Sequence, residues 1–321
     1  MRCVVFRGVG GPEVMTVEER PDPSPGKFEV VIAPTFAGVN PADVLQREGH
    51  HPVPAGWPTD VPGLEVAGSV VSCGEAVTRF APGDRAFGLV GGGGLADRVL
   101  AQERELVPIP ETLDDRSAGA VPEAFITAYD ALCIQAELGP GDTLLVNGAS
   151  GGVGTAAVQI GVRLGGRVVA NVRSAGVRPR VGELGATALA ASDAFAQVRE
   201  LGGADVILEL VGAPHMRENV SALAPKGRIV MVGARPGDEA TIAMRDLMGR
   251  RARLIGTTLR TRPPEEKAGI VQVFGRRVVP LLAAGDLRPL IDRVFPLTEA
   301  ASAFDYVRRP GKLGKVLLET R

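Results

Sequence analysis

The stretch Asp142–Leu164, DTLLVNGASGGVGTAAVQIGVRL, decides how the rest of the chain is read. Its apolar start, Thr143–Val146, predicts a strand that runs into the glycine turn Ala149-Ser150-Gly151-Gly152-Val153-Gly154 and then straight into a helix. Each part suits a dinucleotide. Gly151 lets backbone approach a pyrophosphate, Gly154 lets helix and strand pack closely, and the free N–H groups at the helix start attract the anion. Ala149 stands where the usual G-x-G-x-x-G pattern has its first glycine.

Outside this stretch, 321 residues exceed one ordinary domain and fit two. An apolar content of 45% supplies ample core. The net charge of −1 argues against a generic nucleic-acid or membrane-surface binder. Cys3, Cys73 and Cys133 form neither a CxxC pair nor an even framework, which suits a reducing cytoplasm and offers no metal site. No signal-peptide pattern and no run of 18 apolar residues occurs, so the expectation is a soluble cytoplasmic protein.

Residues 1 to about 122 read as short strands broken by Gly and Pro, such as Arg2–Phe6, Glu29–Ala37, Glu65–Ser72 and Ala96–Leu100, a texture that predicts a β-barrel-like unit. From 123 to 264 strands and helices alternate: Thr143–Val146, Arg167–Val172, Val206–Leu210, Arg228–Val232 and a final strand Arg253–Leu259, with helices between. That alternation predicts a doubly wound parallel sheet, making the fold class α/β. Pro179 shortens or displaces the helix expected near Arg180–Leu184. Residues 265–321 predict a long helix (Lys267–Ala284), a strand (Leu290–Phe295), a helix (Glu299–Arg308) and a last strand (Lys315–Glu319). These elements fit poorly onto a complete nucleotide sheet, and the simplest topology returns them to finish the first domain. The edge strand Arg253–Leu259 is apolar enough to pair with its own copy, so a homodimer is expected.

NAD-specific sites place a carboxylate at the end of the second strand, about twenty residues past the glycines. Here the strand ends Ala170-Asn171-Val172-Arg173-Ser174, with Arg178 and Arg180 following. Arginine suits a 2′-phosphate, each charge-assisted bond contributing ~1.5–3 kcal/mol. The plain alternative is arginines on a surface turn; with the acid missing from the same place, NADPH is the expected cofactor. The only histidines, His50, His51 and His215, have no cysteine at metal-ligand spacing, so no catalytic metal is expected. Ser150 lacks a G-x-S-x-G elbow and reads as a phosphate contact.

Seven segments in order give the chain a resemblance over its whole length: FRGVGGPEVMTVEERPDPSPG, AGVNPADVLQREG, PGLEVAG, PEAFITAYDAL, NGASGGVGTAAVQIG, TTLRTR and PGKLGKVLLE. The chain resembles the zinc-free quinone oxidoreductase branch of the medium-chain dehydrogenase/reductase superfamily, and is most similar to the p53-inducible quinone oxidoreductase-like group. The resemblance implies a GroES-like domain split in sequence, an inserted Rossmann domain, NADPH as donor, and a cleft active site between them. Zinc-dependent relatives carry a cysteine where this chain has Asn40, a histidine where it has Leu64, and a four-cysteine lobe that is missing around Phe87–Arg98.

By the same resemblance, Asn40 and Asp43 line the nicotinamide end of the cleft, and Asn40 orients the acceptor. Thr127 lies under the nicotinamide, while Ser150, Gly151, Gly152 and Val153 cradle the pyrophosphate. Arg173 and Ser174, with Arg178, hold the 2′-phosphate; Gly212 and Gly233 face the cofactor, and Lys315 is a late cofactor contact. The plain readings are strand-to-helix turning for the glycines and a helix or turn cap for Asp43. Two departures stand out. Relatives have a lysine where this chain has Val177, and a tyrosine in the loop that here reads Gly49-His50-His51-Pro52. His51 is therefore a candidate proton donor, against the plain reading of a solvent-exposed loop histidine. The expected activity is hydride transfer to a quinone-like acceptor. Reduction of an enone or enoyl thioester, or a low-turnover NADPH-binding sensor or structural protein, are the alternatives.

Overall fold

The computed structural model describes residues 1–234 and 239–320. The chain forms two compact units: residues 1–126, 259–309 and 315–321 make unit 1, and residues 127–258 and 310–314 make unit 2.

Unit 1 opens with eight strands: β1 (Arg2–Phe6), β2 (Met15–Glu19), β3 (Glu29–Pro34), β4 (Phe36–Val39), β5 (Glu65–Cys73), β6 (Arg85–Leu89), β7 (Val99–Gln102) and β8 (Leu106–Pro108). Five of them form an antiparallel sheet in the order β7-β3-β5-β6-β8. Alternating Val30, Ile32, Val66, Val70, Val99 and Leu106 close its core. Ala96–Leu100 was expected as a strand; the strand itself is shifted to Val99–Gln102.

Unit 2 contains β9 (Thr143–Asn147), β10 (Arg167–Asn171), β11 (Thr187–Leu189), β12 (Ala204–Glu209), β13 (Leu223–Met231) and β14 (Arg253–Gly256). All pairings are parallel and the order is β11-β10-β9-β12-β13-β14. Counted from β9 this is 3-2-1-4-5-6, the Rossmann order, whose switch point lies beside the first strand. Leu145, Val169, Ile207 and Ile229 line one face under Phe195 and Val198 of the helix Ala191–Glu200. The helix near Pro179 is short, Arg178–Gly182, and holds Pro179 in its first turn, where a missing N–H is tolerated. The edge strand β14 stops at Gly256, three residues short of the expected Leu259.

The C-terminal return completes unit 1. β15 (Ile291–Pro296) and β16 (Lys315–Glu319) are parallel, and β16 pairs antiparallel with β4, Val316 opposite Val39 and Leu317 opposite Gly38. The apolar side of helix Ala300–Arg308 packs Ala303, Phe304 and Val307 against Val39, Val316 and Leu318. The long helix expected over Lys267–Ala284 is two helices, Pro264–Arg277 and Val279–Ala283. Pro280 explains the break: it has no N–H for a continuing helix but fits the first turn of a new one.

Candidate functional site

In unit 2 the glycine turn leaves β9 at the switch point and Gly151 caps the helix Gly152–Arg163. A Cβ on Gly154 would lie 2.4 Å from the Gly148 carbonyl oxygen and 2.7 Å from the Ala149 Cα, so this glycine is demanded by backbone packing. A Cβ on Gly151 would meet only the Gly148 oxygen, at 3.7 Å; the space in front of this residue is open. Ser150 and Val153 flank it, partly exposed, and the Ser150 carbonyl accepts a 2.8 Å bond from the Gly314 N–H. At the end of β10, Arg173 is exposed and Ser174 partly so. Arg178 is occupied: its Nε donates to the Val172 carbonyl (2.9 Å) and its Nη2 to that of Arg173 (3.1 Å), bracing the loop from beneath. The Thr127 hydroxyl is buried without a hydrogen-bond partner among the described residues. Gly233 answers to packing, since a Cβ there would sit 2.7 Å from the Leu210 carbonyl oxygen.

A buried network ties the strand ends together. Glu209, the last residue of β12, accepts from Asn147 Nδ2 and Asn219 Nδ2 at 2.7 Å each through Oε2. Its Oε1 accepts from the N–H groups of Val211 (2.6 Å) and Gly212 (2.9 Å), and Gly212 adopts φ 110°. Asn171, ending β10, donates to Asn147 Oδ1 at 2.9 Å. Burial alone would raise the Glu209 carboxyl. It is outweighed by His215, whose Nδ1 lies 3.5 Å away, and by the Asn219 amide and the two N–H groups, which hold the group below its ordinary value.

The other expected residues lie in unit 1, inside a cluster of charges. Asp43 Oδ2 accepts from the Asn40 N–H (2.8 Å) and Oδ1 from the Gly63 N–H (2.9 Å), so it braces the start of helix Pro41–Arg47. Asn40 donates through Nδ2 to Glu65 Oε1 (2.9 Å), and its Oδ1 accepts from the Lys315 ammonium. Lys315 also pairs with Glu65 Oε1 at 2.5 Å, the two side chains being 5% and 1% exposed. Gly38 leaves room for this pair: a Cβ there would lie 2.0 Å from Glu65 Oε1. The polar atoms of Asn40, Asp43 and Lys315 are thus taken by one another, by Glu65 and by the Gly63 N–H. That arrangement favours the cap reading for Asp43 and gives Lys315 a partner other than the expected cofactor. Buried Arg260 donates to the Gly91 carbonyl (2.9 Å), Gln46 Oε1 (2.6 Å) and the His51 carbonyl (3.3 Å). Burial, and then the charge of Arg260, push the His51 imidazole down to about 4, so the ring is uncharged at neutral pH. An uncharged ring does not carry the second proton that an imidazolium donor would give.

A split GroES-like unit carrying a Rossmann sheet is the architecture of the alcohol dehydrogenase superfamily. Residues 26–111 match the alcohol dehydrogenase GroES-like domain, and residues 184–318 match a family described as zinc-binding dehydrogenase. The quinone oxidoreductase of Rattus norvegicus is 32% identical over 330 residues, covering 99% of this chain and 97% of its own. Among solved structures, an NAD-dependent alcohol dehydrogenase superposes with a TM-score of 0.87 at 30% identity, with both chains fully covered. The quinone oxidoreductase of Pseudomonas syringae gives 0.87 at 26% identity, with 99% of each chain covered. The chain belongs to the quinone oxidoreductase branch of the medium-chain dehydrogenase/reductase superfamily and is an oxidoreductase that uses a nicotinamide cofactor.

The residues fit that cofactor: the open space before Gly151 and the unpartnered Thr127 hydroxyl are what a bound dinucleotide would fill. They do not fit a zinc ion. At the two positions where zinc-dependent relatives carry ligands stand Asn40, whose oxygen holds the Lys315 ammonium, and the buried apolar Leu64. Among the described residues no group of three or more His, Cys, Asp or Glu is gathered to hold a metal. The two glycines separate packing from binding. Gly154→Ala is expected to destabilise the protein by about 1–3 kcal/mol through backbone overlap. Gly151→Ala is expected to leave the melting temperature unchanged and to weaken cofactor binding in a fluorescence titration. Equal melting losses in both variants would contradict this division.

Proposed function

We propose that the chain is an NADPH-dependent, zinc-free quinone reductase. The observation that carries the cofactor preference is the end of β10, which offers an exposed Arg173 and a partly exposed Ser174 and no carboxylate. Arg178, with two of its donors on backbone carbonyls, serves by holding this loop in place. Ser150, Gly151, Gly152, Val153 and Gly212 would hold the pyrophosphate side and Thr127 the nicotinamide side. The chemistry the cofactor supplies when bound is a hydride, and the chain's task is to position it and exclude water. A quinone-like small molecule as acceptor is supported by the curated relatives, named as quinone oxidoreductases.

The test is cofactor oxidation with ortho- and para-quinones after dialysis against a chelator. NADPH is expected to be preferred over NADH. Arg173→Ala should lower kcat/KM for NADPH by roughly one to two decades, the worth of a charge-assisted bond, and leave that for NADH unchanged. A wild-type preference for NADH, or turnover lost with the chelator, would refute the reading.

A further inference from the structure

Three carboxyl groups and two cations converge in unit 1: Asp43, Glu65 and Glu123 with Lys315 and Arg260. Two of the carboxylates are saturated with donors. Glu65 takes the Lys315 ammonium and the Asn40 amide on Oε1, and the Glu123 N–H on Oε2 at 2.9 Å. Asp43 takes two backbone N–H groups. Burial raises the Asp43 carboxyl to about 6 against the pull of the two N–H groups, Arg260 and Lys315, so it is charged at neutral pH, and the two cations balance the charges of Asp43 and Glu65. Glu123 is the third carboxyl, and no hydrogen bond from the described residues reaches it. A third negative charge would leave the cluster with a net −1 away from water, so the count of charges puts a proton on Glu123. Burial, then the charge of Glu65, and also that of Asp43, push its carboxyl up to about 8, against the pull of Lys315 and Arg260.

Position sets Glu123 apart as well. It stands in the π-helical turn Pro122–Ile126, a form that recurs at functional sites. Asn40, Asp43, Glu65 and Lys315 are all buried, whereas Glu123 is partly exposed as a residue. It is the one carboxylic residue of the three that is not fully buried.

Resting on the quinone-reductase reading above, we propose that Glu123 is the proton donor of the reduction, a neutral carboxylic acid that protonates the acceptor oxygen. As a quinone gains a hydride and its electron pair, negative charge collects on oxygen. The Glu123 O–H bond breaks, its proton forms the hydroquinone O–H, and the carboxylate left behind, facing Glu65 and Asp43, regains a proton from solvent. The sum is one quinone, one hydride and one solvent proton giving one hydroquinone. Lys315 and Arg260 stabilise the transient carboxylate.

Glu123→Gln tests this, because the amide copies the neutral acid in shape and cannot donate as an acid; Glu123→Asp keeps the acid and withdraws it. The first readout needs no turnover. The infrared difference between wild type and Glu123→Gln, without cofactor, should contain a carboxylic-acid carbonyl band at neutral pH that disappears as the pH passes about 8. The second is kinetic. Glu123→Gln should lower quinone-dependent kcat by roughly 10²–10⁴-fold, erase the wild-type decline above that pH, and leave the cofactor dissociation constant unchanged. Glu123→Asp should keep part of the rate and the pH-dependent decline. Absence of the band at neutral pH, or Glu123→Gln turning over with the wild-type rate and profile, overturns the proposal. Wild type that reduces no quinone while the band titrates as stated overturns the quinone reading and supports the resident proton.

Discussion

Replacing Lys315 with methionine is expected to lower the free energy of unfolding by about 3–5 kcal/mol at neutral pH, the usual effect of leaving one buried charge unpaired. The ammonium is the shared donor to Glu65 Oε1 and Asn40 Oδ1, and without it three carboxyl groups face Arg260 alone. Methionine fills the space of the lysine stem and returns none of the donors. The second half of the cycle carries the argument. Glu65→Gln in the Lys315→Met background should recover a large part of the loss, because neither half of the pair then stays charged in the interior. Chemical denaturation of the two single variants and the double variant measures the coupling. Additive losses would mean that the pair contributes packing and little electrostatics.

That pair shows where the sequence stops being legible. The glycine turn, the alternating strands of unit 2 and the Gly- and Pro-punctuated strands of unit 1 are local patterns, so they can be read residue by residue. The C-terminal return is an expectation reached by elimination; β16 pairs antiparallel with β4. Its consequence was not legible. Lys315 and Glu65 are 250 residues apart in sequence; the register of β16 against β4 brings Lys315 beside Gly38, where Glu65 of β5 meets it. Lys315 could therefore be expected at a cofactor without any sign of its carboxylate partner. One signal was present. Glu65 in G-L-E-V-A-G, Glu123 in V-P-E-A-F-I and Glu209 in V-I-L-E-L-V are single carboxylates in apolar runs. A charge in such a run must be buried with partners or keep its proton. Glu65 and Glu209 took the first course and Glu123 the second, and the difference lies in neighbours that spacing along the chain does not reveal. Pro280 breaking the expected long helix was readable from its chemistry alone.

Glu209→Ala is expected to be the most damaging single change in unit 2. It strips the acceptor from four buried donors at once: Asn147 Nδ2, Asn219 Nδ2 and the N–H groups of Val211 and Gly212. A buried donor left without a partner costs about 1–3 kcal/mol, and neighbouring losses are not additive, so a total of roughly 3–5 kcal/mol is expected. Glu209→Gln separates charge from shape. Its oxygen can serve one pair of donors, but its NH₂ would face the other pair, so it should recover only part of the loss. The pH dependence follows from the direction of the shift. The folded carboxyl titrates below its ordinary value of 4.5, so the folded chain binds this proton less readily than the unfolded one. Its stabilisation is present above that value and disappears as the pH falls through the lower folded one. Wild type should therefore lose stability in acid, and Glu209→Gln should show a smaller acid-dependent loss from a lower starting point. Melting curves between neutral pH and about pH 3 test both statements, and parallel acid profiles would contradict the role of the charge. Cofactor affinity should fall in both variants even well below their melting temperatures, because Gly148 follows Asn147, Val172 follows Asn171, and Gly212 is held by Glu209 directly. A variant that melts early yet binds cofactor normally while folded would reduce Glu209 to a stabiliser of the sheet. Weakened binding in the folded state makes it the residue that sets the spacing between the phosphate turn and the loops on either side.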